Sequence, residues 1–427
     1  MCAVKKINVL VFPCGAENAN EIYQALRYSL HVNIVGASSV EDHGQFTFPN
    51  YIANVPNIKD SEFHTAFDNL IKNNSIDVVF ATHDSVAETL APLAEKIGYF
   101  LVNGNSATAA IARRKSMTYE LFQDCDWVPN VYKNVSDVPA WPIIIKPDLG
   151  QGGQGVSLIH NLDEASNIYE NTNAPVIVEY LPGSELTVDC FTNRKGEVVW
   201  IGPRTRERIR AGITMRSQLV TLTDEIKAIA HTINSRLTLR GPWFFQLKSD
   251  TAGKWKLLEI SCRISGTMVF QRARGVNLPL MAIHDYMGRD VAALPNNDIN
   301  LIDRCISTKA RLNKNYKNLY VDLDDTLIFD GYAVPQVLSF IYQSILNNKK
   351  IFLITRHEYD IHETLAKARI SPAAFDDIIH VQKHESKADY IESDAIFIDN
   401  YYYERKEVFE KTGCLVLDVD AVGLLLR

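Results

Sequence analysis

Several stretches of this sequence carry acidic, basic and glycine residues at spacings suited to phosphate chemistry. In the first, IIIKPDLGQGGQGVSLI, Lys146 ends an apolar run and Gly150, Gly152, Gly153 and Gly155 follow it. Glycines let backbone N–H groups come close to phosphate oxygens, and a lysine adds positive charge. Gly150, Gly152 and Gly155 spell a literal GxGxxG. A dinucleotide site needs such glycines to open a helix. Here a strand-like run, GVSLIH, follows instead, and no Gly-Lys-Ser/Thr completes a Walker loop. The expectation is a β-hairpin whose glycine tip closes over phosphate. The plainer alternative is a mobile surface hairpin.

The neighbouring segments strengthen the phosphate reading. In VIVEYLPGSELTV, Glu179 and Glu185 flank Pro182-Gly183. A carboxylate there can accept from ribose hydroxyls, and the backbone around Tyr180 and Leu181 can pair with an adenine edge. Lys115 opens a helix that is expected to end near Asp126-Trp127. Gln246, Glu259, Ser261 and Arg263 fall on adjacent strand-like runs. Oxygen ligands on neighbouring strands suit Mg²⁺, which keeps water and phosphate in its shell. Arg204, Arg206, Arg208 and Arg210 alternate along GPRTRERIRAGIT, so one strand face could present all four guanidinium groups. A solvated charged strand is the alternative.

A second constellation lies near the C-terminus. NLYVDLDDTL is an apolar strand ending in Asp322 and Asp324, two residues apart. One carboxylate can attack a phosphoryl group while the other protonates the leaving oxygen. Thr355 ends another strand, Lys387 precedes a helix-like stretch, and Asp399 ends DAIFIDN. Open parallel sheets bind ligands at such strand C-termini. An acidic turn without chemistry is the alternative.

Repeated strand–helix alternation over 6–104 and again from 318 is expected to position these groups on parallel sheets with helices on both faces. Between about 105 and 312, runs such as PIIIKP, PVIVEYL, LTVDCFT, WFFQLK and WKLLEIS suggest mainly antiparallel sheet. The fold class is therefore α/β and α+β, multidomain. The domains expected are 1–104, 105–314 with a nucleotide lid at about 115–185, and 315–427. The 427 residues suit about three domains, and 46% apolar with 22% charged residues excludes global disorder. Residues 316–427 hold 12 Lys and Arg against 19 Asp and Glu, whereas 1–315 hold 32 of each. A nucleic-acid surface is not indicated. No apolar run reaches the ~18 residues of a membrane span, and the N-terminal run is too short for a signal peptide. A cytoplasmic protein is expected. Seven scattered cysteines without a CxxC pair argue against disulfides or zinc. The eleven histidines show no metal spacing; His83-Asp84, after a strand, could meet substrate.

The ordered set Lys115, Lys146 with its glycine loop, Glu179 to Glu185, Gln246, Glu259 and Arg263 resembles the ATP-grasp superfamily, in its carbamoyl-phosphate-synthetase-like and biotin-carboxylase-like branches. The resemblance implies a Rossmann-like pre-ATP-grasp domain followed by the ATP-grasp domain. It implies ATP and Mg²⁺ (with Mn²⁺ able to substitute). Lys115, Lys146, Gly152, Gly153, Gly155, Glu179, Tyr180, Leu181 and Glu185 would bind ATP. Gln246 and Glu259 would hold metal, with Ser261 where the family has Asn. Arg263, Arg206 and Arg208 would be catalytic. The implied reaction joins a carboxylate to an amine or thiol through an acyl phosphate. DxDxT at 322–326 with Thr355, Lys387 and Asp399 resembles the haloacid-dehalogenase-like (HAD) phosphohydrolases. That implies Asp322 as nucleophile, Asp324 as acid/base, Thr355 and Lys387 on phosphate, and Asp322, Asp324 and Asp399 around Mg²⁺. Lys383 is the runner-up lysine, and Glu404 could make up for Asn400. Only 28 residues separate Thr326 from Thr355, so a cap is absent or minimal. Its substrate would be a phosphorylated metabolite. Small molecules, and a second copy of the chain, are the partners expected, with no nucleic acid or membrane. Two alternatives stand beside the bifunctional reading: a phosphatase with a regulatory ATP-binding part, and a non-enzymatic scaffold.

Overall fold

The computed structural model describes residues 6–150, 152–210, 212–313 and 315–427. Cys2 lies outside them, and no disulfide joins the six described cysteines. The chain divides into two compact units, Met1–Cys305 and Ile306–Arg427.

The first unit opens with a five-stranded parallel sheet. Its order is Tyr51–Ile52, Val32–Ala37, Ile7–Phe12, Val78–Ala81 and Phe100–Leu101. The middle strands are apolar on both faces, as parallel strands covered by helices must be. Leu10 and Val79 pack on one face with Phe63, Phe67 and Leu90; Val9 and Val11 pack on the other with Ile22 and Leu26. Each such fully buried side chain contributes about 1.5–3 kcal/mol.

Two four-stranded antiparallel sheets follow. One is ordered Val131–Tyr132, Pro175–Glu179, Ile143–Pro147, Ser157–Ile159. Within it Ile143–Pro147 and Ser157–Ile159 form the hairpin that carries the glycine tip. The other is ordered Val198–Thr205, Glu185–Thr192, Gly241–Ser249, Trp255–Ser261. Its register sets Gln246 directly opposite Glu259. A small sheet of Glu207–Arg210, Ile213–Gln218 and Leu301–Asp303 lies beyond.

Ahead of these sheets lie two helices, Ser106–Arg113 and Lys115–Leu121. Arg114 is extended between them (φ −103°, ψ 119°). Arg113 and Arg114 both pair with Glu88, which fixes the break. The second helix therefore begins on Lys115 and ends before Asp126.

The second unit is a five-stranded parallel sheet ordered Asp377–His380, Lys350–Thr355, Asn318–Val321, Ala395–Ile398, Leu415–Leu417. Leu319, Val321, Leu353 and Ile396 form its core with Val337, Phe340 and Leu365 from the helices. Between Thr326 and Thr355 the chain makes only a short hairpin, Ile328–Phe329 with Tyr332–Ala333, and one helix, Pro335–Leu346.

No helix among the described residues is long and apolar enough to cross a membrane.

Candidate functional site

In the first unit the two antiparallel sheets enclose a cavity of about 420 Å³. Ile144, Val178, Leu181 and Leu258 give it an apolar side, and Lys115, Lys146, Glu185 and Arg206 a charged one. Tyr180 and Glu179 line it too, but the Glu179 carboxylate accepts from the Asn130 backbone N–H (2.8 Å) and side-chain amide (3.3 Å). That leaves backbone groups of the Glu179–Leu181 segment to meet a flat ring.

Lys146 is almost fully buried, and its Nζ donates to the Tyr119 hydroxyl at 2.8 Å. Burial pulls its pKa down to about 8, against the opposing charge of Glu259. The hydroxyl of Tyr119 in turn donates to the Leu258 carbonyl at 2.8 Å. Lys115 donates from Nζ to the Asp148 carbonyl at 3.2 Å, and its pKa is also lowered, first by burial. Their direct partners are a carbonyl and a hydroxyl rather than carboxylates, and burying charge without full pairing is costly.

Gln246 and Glu259 meet across neighbouring strands. With the amide turned to satisfy both neighbours, Gln246 Nε2 donates to Glu259 Oε1 (3.3 Å) and its Oε1 accepts from Arg206 Nη1 (2.8 Å). Burial first, then the nearby Asp84 carboxylate, raises the Glu259 pKa. In this arrangement the Gln246 oxygen is spent on Arg206, and the pair would hold a divalent cation only with the amide turned back so that both oxygens face it, the remaining ligands coming from phosphate. Ser261 is not brought to this pair. Its hydroxyl donates to Asp84 Oδ1 at 2.5 Å, because the next outward position on the strand faces the end of the parallel sheet.

The arginine row does not share one face. Arg204 is fully buried and committed to Asp189 (2.7 Å), Ser217 and Ser265. Arg206 faces the cavity and pairs with Glu185 at 2.5 Å. Arg208 has φ 45°, which turns the strand. Its exposed side chain pairs with Asp303, away from the cavity. The expected catalytic role of Arg208 therefore has no geometry behind it. Arg263 pairs with Asp84, Nε to Oδ2, at 2.9 Å.

At the hairpin tip Gly152, Gly153 and Gly155 all have positive φ (63°, 75° and 71°). The tip meets Gly212 of the following hairpin. A Cβ added at Gly212 would lie 2.3 Å from the Gly152 Cα, so only glycine permits this approach. A second cavity, of about 380 Å³, shares Gly152, Gly153, Arg206, Gln246 and Glu259 with the first. It extends to His83, Asp84 and Arg263. A third, of about 860 Å³, spreads over the C-terminal ends of Ile7–Phe12 and Val78–Ala81.

Sequence reasoning missed Tyr119, although a spacing of four puts it on the same helix face as Lys115. Asp84 was flagged only by its place after a strand; its links to Ser261 and Arg263 span over 170 residues.

In the second unit, Asp322, Thr355 and Asp399 gather at one end of the sheet. Lys387 Nζ lies between Asp322 Oδ1 (2.6 Å) and Asp399 Oδ2 (2.7 Å). Burial disfavours the Lys387 ammonium, but Asp322 and Asp399 more than offset this, and its pKa is raised. Burial, with Asp399 adding to it against Lys387, raises Asp322 to about 6. Thr355 is buried and accepts from the His357 backbone N–H at 3.0 Å. The Asp324 carboxylate is held by the His357 ring, at 2.8 Å. Asp322, Asp324 and Asp399 thus do not converge, and no group of three or more His, Cys, Asp or Glu among the described residues is arranged to hold a metal. The three-aspartate Mg²⁺ site implied by the resemblance does not fit the side chains as they stand. Lys383 pairs with Glu358 on the surface, and Glu404 is taken by Arg356, so neither reaches the site. Asn400 exchanges hydrogen bonds with Thr326.

The hairpin, the paired antiparallel sheets and the cavity between them define an ATP-grasp-like fold. Residues 171–304 match the family model described as ATP-grasp in the biosynthetic pathway with Ter operon. A 97-residue stretch is 30% identical to a D-alanine–D-alanine ligase from Fusobacterium nucleatum subsp. nucleatum. It covers 22% of this chain and 34% of the ligase, so the chain spans about a third of that relative.

Solved structures share the fold. The biotin carboxylase domain of Hydrogenobacter thermophilus 2-oxoglutarate carboxylase, a dimer with MgADP, ADP and bicarbonate, aligns with TM-score 0.57 and 17% identity over 69% of this chain and 72% of that one. Staphylococcus aureus N5-carboxyaminoimidazole synthetase with ADP gives 0.56 and 16%, over 69% and 80%. An L-amino acid ligase from Bacillus licheniformis gives 0.53 and 17%, over 66% and 74%.

Proposed function

We propose that the first unit is an ATP-dependent ligase that activates a carboxylate as an acyl phosphate and passes it to an amine or thiol, releasing ADP and phosphate. The observation that carries this is the pair of cavities meeting at Arg206, Gln246 and Glu259. A nucleotide in the first cavity would lay its triphosphate between Lys115 and Lys146 under the glycine tip. An acceptor in the second would meet it beside Arg206. Arg206 and Arg263 then face the charge that develops on the transferring phosphoryl group, where preorganised donors act most strongly. Mg²⁺ at Gln246 and Glu259 would neutralise phosphate oxygens. The relatives named above supply the precedent for both nucleotide and acceptor chemistry. The test is ADP release with Mg²⁺ and pooled carboxylates and amines. Lys146→Ala and Glu259→Ala should each lose turnover; undiminished turnover in both rejects the ligase.

The second unit, in the same reading, hydrolyses a phosphorylated metabolite. Asp322 would attack phosphorus while Asp324 protonates the leaving oxygen; water then attacks the aspartyl phosphate, gives its proton to Asp324 and frees phosphate. Support comes from the strand-end cluster of Asp322, Thr355, Lys387 and Asp399. Asp322→Asn should abolish hydrolysis of phosphomonoesters.

The engagement of Ser261 by Asp84 favours one other reading: a phosphatase whose ATP-binding part is regulatory. In that case ATP binds without being consumed under any acceptor. Acceptor-dependent ATP turnover rejects it.

A further inference from the structure

His357 sits two residues beyond Thr355, at a position the sequence motifs did not single out. Its ring is nearly buried, with Nδ1 at 2.8 and 3.0 Å from the two oxygens of Asp324. On the other side Nε2 is 2.8 Å from the Thr364 hydroxyl, on the helix Ile361–Lys367. The backbone is anchored as well. The His357 N–H donates to Thr355 Oγ1 (3.0 Å), and its carbonyl lies 2.9 Å from His380 Nε2. Asp324 itself is different. Its side chain is 55% exposed, and Asp325 behind it turns with φ 56°. Without a partner that carboxyl group would be free to rotate in water.

We propose that the chain Thr364–His357–Asp324 holds the Asp324 carboxyl group in the orientation that serves the leaving group. His357 is thus a positioning residue for the phosphatase step, on whose reading this inference rests. In the proposed chain the Thr364 hydroxyl donates to Nε2, and the Nδ1–H donates to Asp324. The Nδ1–H is shared between the two Asp324 oxygens, which fixes the plane of the carboxyl group while one oxygen keeps the proton it hands to the departing oxygen as the P–O bond breaks. The same oxygen takes a proton from water in the second step. Positioned general acids contribute about 10²–10⁴-fold, and the share lost on misplacement depends on how badly the leaving group needs a proton.

That dependence supplies a readout that a merely structural role would not move. An alkyl phosphate must leave as an alcohol and needs the proton; p-nitrophenyl phosphate leaves as a stable anion and hardly does. With the full chain, His357→Leu should lower kcat on an alkyl phosphate by about 30-fold or more, and on p-nitrophenyl phosphate by about threefold or less. His357→Asn keeps an N–H near the place of Nδ1 and should recover most of the alkyl phosphate rate. Adding His357→Leu to Asp324→Asn should cost little more on the alkyl phosphate, because the two act as a unit. Equal losses on both substrates, or no recovery with Asn, overturn the inference while leaving the phosphatase standing. A wild-type protein that hydrolyses neither ester, or an Asp322→Asn variant that still does, overturns the phosphatase reading and this inference with it. Independently of activity, ¹⁵N spectra should show His357 protonated on Nδ1; a bare, accepting Nδ1 overturns the proposed chain.

Discussion

Lys146 is the sharpest place to test the proposed nucleotide site, because stability and activity should respond to pH in opposite directions. The ammonium is enclosed, and burial takes its pKa from the ordinary 10.5 to about 8. In the unfolded chain it titrates near 10.5. Between pH 8 and 10.5 the unfolded state therefore holds the proton that the folded state has released, and stability rises with pH across that window. Below pH 8 the folded protein bears the whole penalty, about 3 kcal/mol. Lys146→Met removes it. At pH 7 the Met variant should be more stable than wild type by up to about 3 kcal/mol, and the gap should close towards pH 10.5. Chemical denaturation of both proteins from pH 7 to 10.5, without nucleotide, measures this directly. Activity should go the other way. kcat/KM for ATP reports the free enzyme, so it should fall in wild type as pH rises through about 8 and the lysine loses its charge. Lys146→Arg should lack that alkaline limb, since a guanidinium stays charged. A Met variant no more stable at pH 7, together with a wild-type profile flat to pH ~9.5, would refute the argument.

Other expectations follow from the same geometry. Gln246→Ala and Glu259→Ala should each cost about 10²-fold or more in ATP turnover, and EDTA should abolish it, as a coupled-enzyme ADP assay would show. Gly212→Ala places a Cβ 2.3 Å from Gly152 at a φ of 77°. It should cost about 1–3 kcal/mol in urea unfolding and raise KM for ATP more than it lowers kcat. Arg208→Ala should leave ATP turnover within about twofold of wild type, while Arg206→Ala should lose about 10²-fold or more; equal effects would contradict the different directions the two side chains take.

Much of the fold was readable because its signals are local. Doubly apolar strands alternating with amphipathic helices imply parallel sheet, and the sheets at Ile7–Phe12 and Asn318–Val321 are parallel. The glycine hairpin was readable from Lys146 through Gly155 for the same reason. What escaped was decided at long range or by single backbone angles. Arg206 and Arg208 have the alternation of one strand face, yet φ 45° at Arg208 sends the second side chain to Asp303. The helix opened by Lys115 stops at Leu121 rather than near Asp126, and the break before it is set from another element by Glu88, which captures Arg113 and Arg114. Ser261 sits where a ligand was expected, but its partner Asp84 comes from the far end of the unit. His357 had no spacing to betray it, because Asp324 reaches it only once the two strands lie side by side.

The two sites use buried lysines in opposite electrostatic settings, and the contrast bears on what each is built to receive. Lys387 is held between two carboxylates, Asp322 and Asp399, and its pKa is raised. Its charge is already compensated. On the proposed phosphatase reading, a phosphate monoester there would meet a lysine whose positive field is largely spent on Asp322 and Asp399. Lys146 has a neutral hydroxyl as its direct partner, and its pKa is lowered. Lys115 nearby is likewise lowered, and the two repel. A pair of under-compensated ammonium groups is costly to fold, and the cost is recovered only when a strong anion arrives. Triphosphate, with several charges spread along its length, is the size and valence that would satisfy both at once, whereas a single carboxylate would reach only one. In the proposed site that surplus of positive charge would supply binding energy for a triphosphate.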